Sequence, residues 1–198
     1  MHLFATDISV LRLLEDAGDE IAVSCLIVPA NRRGAAKIIE LEAATKVPIA
    51  VHERGKALPV DLPPADAAIS WLYSQIIREE DIQRYHLGIL NMHGGRIPEY
   101  RGANVLQWAI INGEPELGIT WHELVKEVDA GPIWAESTIA IPAEVTALEM
   151  RARMIEAGRD LFGTAWQRFI AREFIPRIAK LDNGRVWPSR KPEDGRIE

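Results

Sequence analysis

The sequence predicts an α/β fold around a largely parallel sheet, and three observations carry that expectation. Over the first 90 residues short apolar runs alternate with amphipathic stretches, the pattern of strands joined by crossover helices. At 198 residues and 47% hydrophobic content, the chain can bury one substantial core. Neither an internal repeat nor a low-complexity segment interrupts it.

Leu3 to Ala5 form the first expected strand, feeding a helix in which Ile8, Leu11 and Leu14 recur at helical spacing and which Gly18 stops. Ile21 to Val28 read as a buried strand. After a loop from Pro29 to Gly34, Ala35, Ile38, Ile39 and Leu41 to Ala44 predict a second amphipathic helix, and Val47 to Val51 a short strand. His52 to Pro64 read as a loop, Ala67 to Ser70 as a strand and Glu79 to Tyr85 as a polar helix. Leu87 to Met92 form a strand that runs into Gly94 and Gly95. Asn104 to Ile111 predict a helix, while Gly118 to Leu124 and Ile133 to Ile141 alternate like antiparallel strands. Thr146 with Glu149 has the pattern of a capping box, opening a long helix that ends near Arg172. Residues 1–180 thus read as one domain. Residues 181–198, rich in Pro, Gly and charge and without hydrophobic periodicity, read as a linker-like tail or a docked arm.

The net charge of −6 and pI near 5.5 argue against a surface that neutralises phosphates, so no nucleic-acid partner is expected. A single cysteine, Cys25, can make neither an internal disulfide nor a cysteine metal cluster and reads as a core residue. No apolar run approaches the ~18 residues that cross a bilayer, and the N-terminus lacks a basic segment followed by a long apolar one. A cytoplasmic protein without a membrane partner is the expectation. A homodimer stays open.

Residues 91–102 are the densest in chemistry, with an amide, an imidazole, three glycines and two arginines where a strand gives way to a loop. Asn91 and His93 lie two apart, so on an extended strand they share a face. An amide donor beside an imidazole can stabilise a developing oxyanion, and Gly94 and Gly95 leave room for a ligand next to the ring. A structural histidine at a strand end is the competing reading. A second segment places Asp129 in a turn before Gly131 and Pro132, where an aspartate often serves only its own backbone.

Together the two segments resemble the folate-dependent formyltransferase family, most closely the catalytic domain of the nucleotide-linked amino-sugar N-formyltransferases, with the methionyl-tRNA and glycinamide ribonucleotide enzymes as relatives. Five ordered elements carry the resemblance: Asn91 and His93 at a strand end, Pro98 to Gly102, Asn112 to Glu114, Gly118 to His122, and Asp129 to Gly131. It implies a Rossmann-like formyltransferase fold, a mostly parallel central sheet with helices on both faces. It also implies 10-formyltetrahydrofolate as donor, a small-molecule amine as acceptor and no metal. Asn91, His93 and Asp129 would then be catalytic: Asn91 and an imidazolium at His93 would hold the oxyanion, and Asp129 would raise the imidazole pKa and relay the amine's proton. Trp71, Tyr73 and Ile76, with Asp129, fall where relatives line the pterin pocket. Arg96, Tyr100, Arg101 and His122 are candidates for substrate contacts or, for His122, support.

Departures from the pattern bear on the acceptor. Gly95, Arg96, Ile97 and Pro98 stand where many relatives have Ser-Leu-Leu-Pro, and Thr6 and Asp7 stand where purine-pathway members carry a Gly-Ser-Asn phosphate loop. Glycinamide ribonucleotide is therefore disfavoured, and the resemblance of Ser189 to Arg196 to the sugar enzymes' link into a smaller domain makes a nucleotide-linked amino sugar the expected acceptor. Other classes compatible with the residues are a formyltetrahydrofolate hydrolase with the same catalytic set, a folate-binding remnant without activity, and a metal hydrolase using His93, His122 and Asp129 as ligands.

Overall fold

The computed structural model describes residues 1–17, 21–30, 43 and 46–195. A seven-stranded sheet runs in the order β3-β2-β1-β4-β5-β7-β8. Its members are β1 (His2–Ala5), β2 (Cys25–Pro29), β3 (Ile49–His52), β4 (Ala67–Trp71), β5 (Gly88–His93), β7 (Glu116–Glu123) and β8 (Ile133–Ala140). The first five pair in parallel, while β7 joins β5 and β8 joins β7 antiparallel. The helices are α1 (Val10–Ala17), α2 (Glu79–Ile82), α3 (Val105–Ile111) and α4 (Ala147–Ala171). A separate two-stranded ribbon pairs β6 (Arg101–Gly102) with β9 (Val186–Trp187) in parallel.

Strand alternation divides the core between the two faces of the sheet. Leu3, Leu26, Ile69, Leu90, Met92 and Trp121 pack toward α1, α3 and α4, which contribute Val10, Leu13, Leu106, Ala109, Met154 and Phe162. Phe4, Ile27, Ala68 and Ile89 pack on the opposite face with Leu58, Ile77 and Tyr85. The long helix opens as its sequence dictates: Thr146 Oγ1 accepts from the Glu149 N–H at 3.2 Å, and the Glu149 carboxylate accepts the Thr146 N–H at 2.9 Å. Its buried positions, Met150, Met154, Gly158, Phe162, Ala165 and Phe169, recur every three or four residues.

Three elements differ from expectation. β2 begins at Cys25 rather than Ile21: its ladder starts at the His2–Cys25 pair, and ahead of it residues 22–24 are held at the chain's first residue, where Ser24 N–H donates to the Met1 carbonyl and the Met1 ammonium to the Ala22 carbonyl. In α1 the buried face is Val10 and Leu13, with Ile8 ahead of the helix. α2 stops at Ile82, and the chain turns so that the buried Tyr85 places its hydroxyl 2.7 Å from His2 Nδ1. Apart from Ala43, the helix expected over 35–44 lies outside the described residues, as does Gly18. Among the described residues no helix is long and apolar enough to cross a membrane.

Candidate active site

β5 ends at His93, in the middle of the sheet and at the carboxyl ends of the parallel strands, where open α/β sheets gather ligands. Asn91 and His93 share parity with Ile89, so both project to the Phe4 side of the sheet. There they meet β7, with Asn91 opposite His122 and His93 opposite Thr120. A bulge between Trp121 and His122 shifts the β7–β8 register beside this point.

Four side chains converge. Asp129 Oδ2 lies 3.5 Å from His93 Nδ1, and Asp129 Oδ1 lies 3.4 Å from His122 Nε2. The Asn91 amide nitrogen is 3.0 Å from the same His122 nitrogen, and the two imidazole rings meet edge to face at 6.1 Å. Backbone groups finish the cluster: Gly102 N–H donates to Asp129 Oδ2 at 2.7 Å, and the Tyr100 carbonyl oxygen accepts from His93 Nε2 at 2.6 Å. Asp129 sits at φ 45°, the left-handed conformation that aspartate tolerates in turns.

These bonds assign the protons. A carbonyl can only accept, so His93 carries its hydrogen on Nε2 and turns the Nδ1 lone pair toward the Asp129 carboxylate. His122 likewise donates from Nδ1 to the Glu123 carbonyl at 3.0 Å, leaving Nε2 to accept from Asn91. The second N–H of Asn91 has no hydrogen-bond partner among the described residues. Burial pushes the His93 pKa below its ordinary 6.5, against an upward pull from Asp129. The lowered pKa weighs against the imidazolium that the resemblance implies. Burial would push Asp129 up, but the charge that His93 carries when protonated, its contact with His122 and the Gly102 N–H together hold it well below the ordinary carboxylate range. A proton arriving at His93 Nδ1 turns two facing electron-rich groups into an ion pair.

The remaining candidates are placed differently from one another. Trp71 is fully enclosed, stacked on Trp121 at 5.8 Å with its indole N–H given to Ser9, so it presents no face to a ligand. Its parity with Ile69 turns it toward α4 instead. Tyr73 is half-buried with its hydroxyl 2.7 Å from His52 Nδ1, and Ile76 is 83% exposed. Arg96 is exposed and pairs with Glu116 at 3.3 Å. Arg101 is buried, and its Nε donates to the Val128 carbonyl at 2.8 Å, bracing the Asp129 turn. The Tyr100 hydroxyl donates to Glu114 at 2.7 Å and accepts from Asn112 at 2.9 Å, so its carbonyl, not its side chain, faces the site. His122 is fully buried and supports Asn91.

The Tyr100 carbonyl and the Gly102 N–H had no side-chain signature to reveal them. Gly95 carried one with another meaning: a Cβ there would lie 2.7 Å from His93 Nε2 and closer still to the Tyr100 oxygen, so the glycine admits a carbonyl rather than a ligand. A cleft of about 440 Å³ between residues 96–99, β7, β8 and Arg177 is not lined by Asn91, His93 or Asp129. Among the described residues no group of three or more His, Cys, Asp or Glu side chains could hold a metal ion.

Solved structures share this architecture. A phosphoribosylglycinamide formyltransferase from Anaplasma phagocytophilum superposes with a TM-score of 0.71 at 21% identity, covering 87% of this chain and 85% of its own. The N-formyltransferase from Helicobacter canadensis, solved with folinic acid and dTDP-3-aminofucose, gives 0.77 at 18% identity, covering 98% of this chain and 71% of its own. A variant of HypX from Aquifex aeolicus gives 0.67 at 22% identity, covering all of this chain and 32% of its own. At these identities the likeness establishes the fold. The formyl transferase family profile matches residues 31–166, well over half of the sequence and including Asn91, His93, His122 and Asp129, and on that match the chain belongs to the formyl transferase family.

Proposed function

We propose that this protein transfers the formyl group of 10-formyltetrahydrofolate to a primary amine, that of a nucleotide-linked amino sugar or a similar small acceptor. The observation that carries the reading is the convergence of Asn91, His93, His122 and Asp129 at the end of β5, inside the region matched to the family. The acceptor nitrogen attacks the formyl carbon, and the carbonyl electrons move to oxygen, where the second N–H of Asn91 stabilises them. One such donor is worth ~10²- to 10³-fold in rate in comparable sites. The amine's proton passes, directly or through water, to the Asp129–His93 pair, which gains an ion pair by taking it. Collapse breaks the bond from the formyl carbon to the folate nitrogen, and the proton goes to that leaving nitrogen.

Beside Asp129, Val128 is 46% exposed, and the segment carrying it is tied to the Ile76 segment by a 3.0 Å ion pair between Lys126 and Glu79. These two apolar side chains, exposed in adjoining loops, suit the flat face of a pterin. The amino-sugar reading draws support from the Helicobacter canadensis neighbour, whose complex contains an amino-sugar nucleotide.

Calorimetric titration with a stable reduced-folate analogue tests the donor first. Micromolar or tighter binding, weakened by Ile76→Asp, is the expected result. Nucleotide-linked amino sugars are then incubated with 10-formyltetrahydrofolate and analysed for mass gain of one formyl group. Absence of folate binding would remove the enzymatic reading, and donor loss without a formylated product would point to hydrolysis.

A further inference from the structure

Residues 181–195 do not hang from the fold. The main chain of β9 bonds along the loop that follows β5: Arg185 N–H donates to the Pro98 carbonyl at 3.2 Å, Arg101 N–H to the Arg185 carbonyl at 3.1 Å, and Ala103 N–H to the Trp187 carbonyl at 3.0 Å. The Trp187 indole lies flat on the Tyr100 ring, with centroids 5.2 Å apart and planes 6° from parallel. Its Nε1 donates to the Glu99 carbonyl at 3.0 Å. Trp108 closes the cluster, 5.2 Å from Trp187 and donating to the Pro188 carbonyl at 2.9 Å. Gly102, at φ 95°, permits the approach, since a Cβ there would collide with the Trp187 backbone.

The clamped loop is the one that serves the active site through its backbone. Tyr100 offers its carbonyl to His93, and two residues later Gly102 offers its N–H to Asp129. β6 belongs to no part of the main sheet, and among the described residues β9 is its strand neighbour. We propose that Trp187 is a positioning residue for the formyl-transfer site: by clamping residues 98–103 it holds the Tyr100 carbonyl on His93 and the Gly102 N–H on Asp129. The inference rests on the catalytic assignment of those two side chains. The indole contributes in two ways, a stacked face that fixes the Tyr100 ring and a hydrogen bond that fixes Glu99. A segment without hydrophobic periodicity thereby sets the tautomer of a buried histidine some ninety residues earlier.

The test compares the wild-type chain, Trp187→Ala, Trp187→Phe and a control, Leu13→Ala, which opens the core under α1 away from the loop. Two readouts are taken: kcat and KM for formyl transfer, and the nitrogen-15 resonances of the His93 ring, which distinguish a fixed Nε2–H from an exchanging ring. Trp187→Ala is expected to lower kcat about tenfold, within the range for small misplacements of a catalytic group. KM for the donor should move less than about threefold, and the His93 pattern should shift toward an averaged tautomer. Trp187→Phe keeps the stack and should restore most of kcat, while Leu13→Ala lowers the melting temperature with kcat and the His93 pattern as in wild type. An unchanged kcat or an unchanged His93 pattern in Trp187→Ala overturns the inference, and so does an equal loss of kcat in Leu13→Ala. If the wild type transfers no formyl group, the function proposed above fails, and the His93 pattern alone decides the clamp.

Discussion

Gly95→Ala is the smallest change that separates the active-site hydrogen bond from everything else in the fold. A Cβ at this position would sit 2.7 Å from His93 Nε2 and nearer still to the Tyr100 oxygen, wedged into the 2.6 Å bond that joins them. Real Cβ contacts stay beyond 3.0 Å, so the imidazole and the carbonyl must both retreat. The glycine itself cannot yield, because Thr120 Oγ1 donates to its carbonyl at 2.8 Å from β7. A retreat of a few tenths of an ångström on each side stretches the bond past the ~3.2 Å at which N–H···O bonds fade. A buried N–H without an acceptor costs about 1–3 kcal/mol, which for a chain of this length lowers the melting temperature by roughly 2–12 °C. Freed from the carbonyl, the ring loses its enforced tautomer, and a misplaced base costs on the order of 10- to 100-fold in turnover. Differential scanning calorimetry reads the first quantity, and conversion of 10-formyltetrahydrofolate in the presence of acceptor reads the second. Folate-analogue affinity should stay within about threefold of wild type, since uniform binding is untouched. A variant with wild-type melting temperature and wild-type turnover would refute the role given to the Tyr100 carbonyl.

Asp129→Asn keeps an oxygen for the Gly102 N–H, so the fold and folate binding should persist while turnover drops by at least ~10²-fold; near-normal activity would sink the assignment. His93 and Asp129 both have folded-state pKa values below their unfolded ones, 6.5 and 3.8, so the unfolded chain takes up protons first. Stability should therefore be complete above about pH 6.5 and fall as pH drops, first through the histidine contribution and then below pH 4 through the aspartate. A melting temperature that stays flat or rises from pH 7 to pH 5 would contradict this, and His93→Gln should shallow the slope. Thr146→Ala removes the cap of α4 and should cost about 1 kcal/mol without altering kcat. A loss beyond about 3 kcal/mol in chemical denaturation would mean the helix start does more than the capping box shows.

Much of the scaffold was legible because it depends on spacing. Strands recur as apolar runs, the α4 cap is written in Thr146 and Glu149, and the two-residue step from Asn91 to His93 puts both on one face of β5. What stayed hidden depends on groups or balances that residue identity does not encode. Every residue has a carbonyl and an amide, so nothing in the letters marks Tyr100 and Gly102 as the ones that reach the site. An aromatic near a strand end fits core and pocket equally well. Trp71 went to the core because its parity faces α4, where Gly158 makes room against its ring. The charge of His93 turned on a contest between burial and Asp129, and a motif names both contestants without their magnitudes. Residues 181–195 lacked periodicity because a short parallel ladder and one indole anchor them, where helices and strands use repeated apolar contacts. Anchoring of that kind bears on the site itself, since the hydrogen bonds that hold the tail begin on the same loop whose other backbone groups set His93 and Asp129. A tail that loosens must therefore disturb the two residues proposed to move the proton before it disturbs the sheet that carries them.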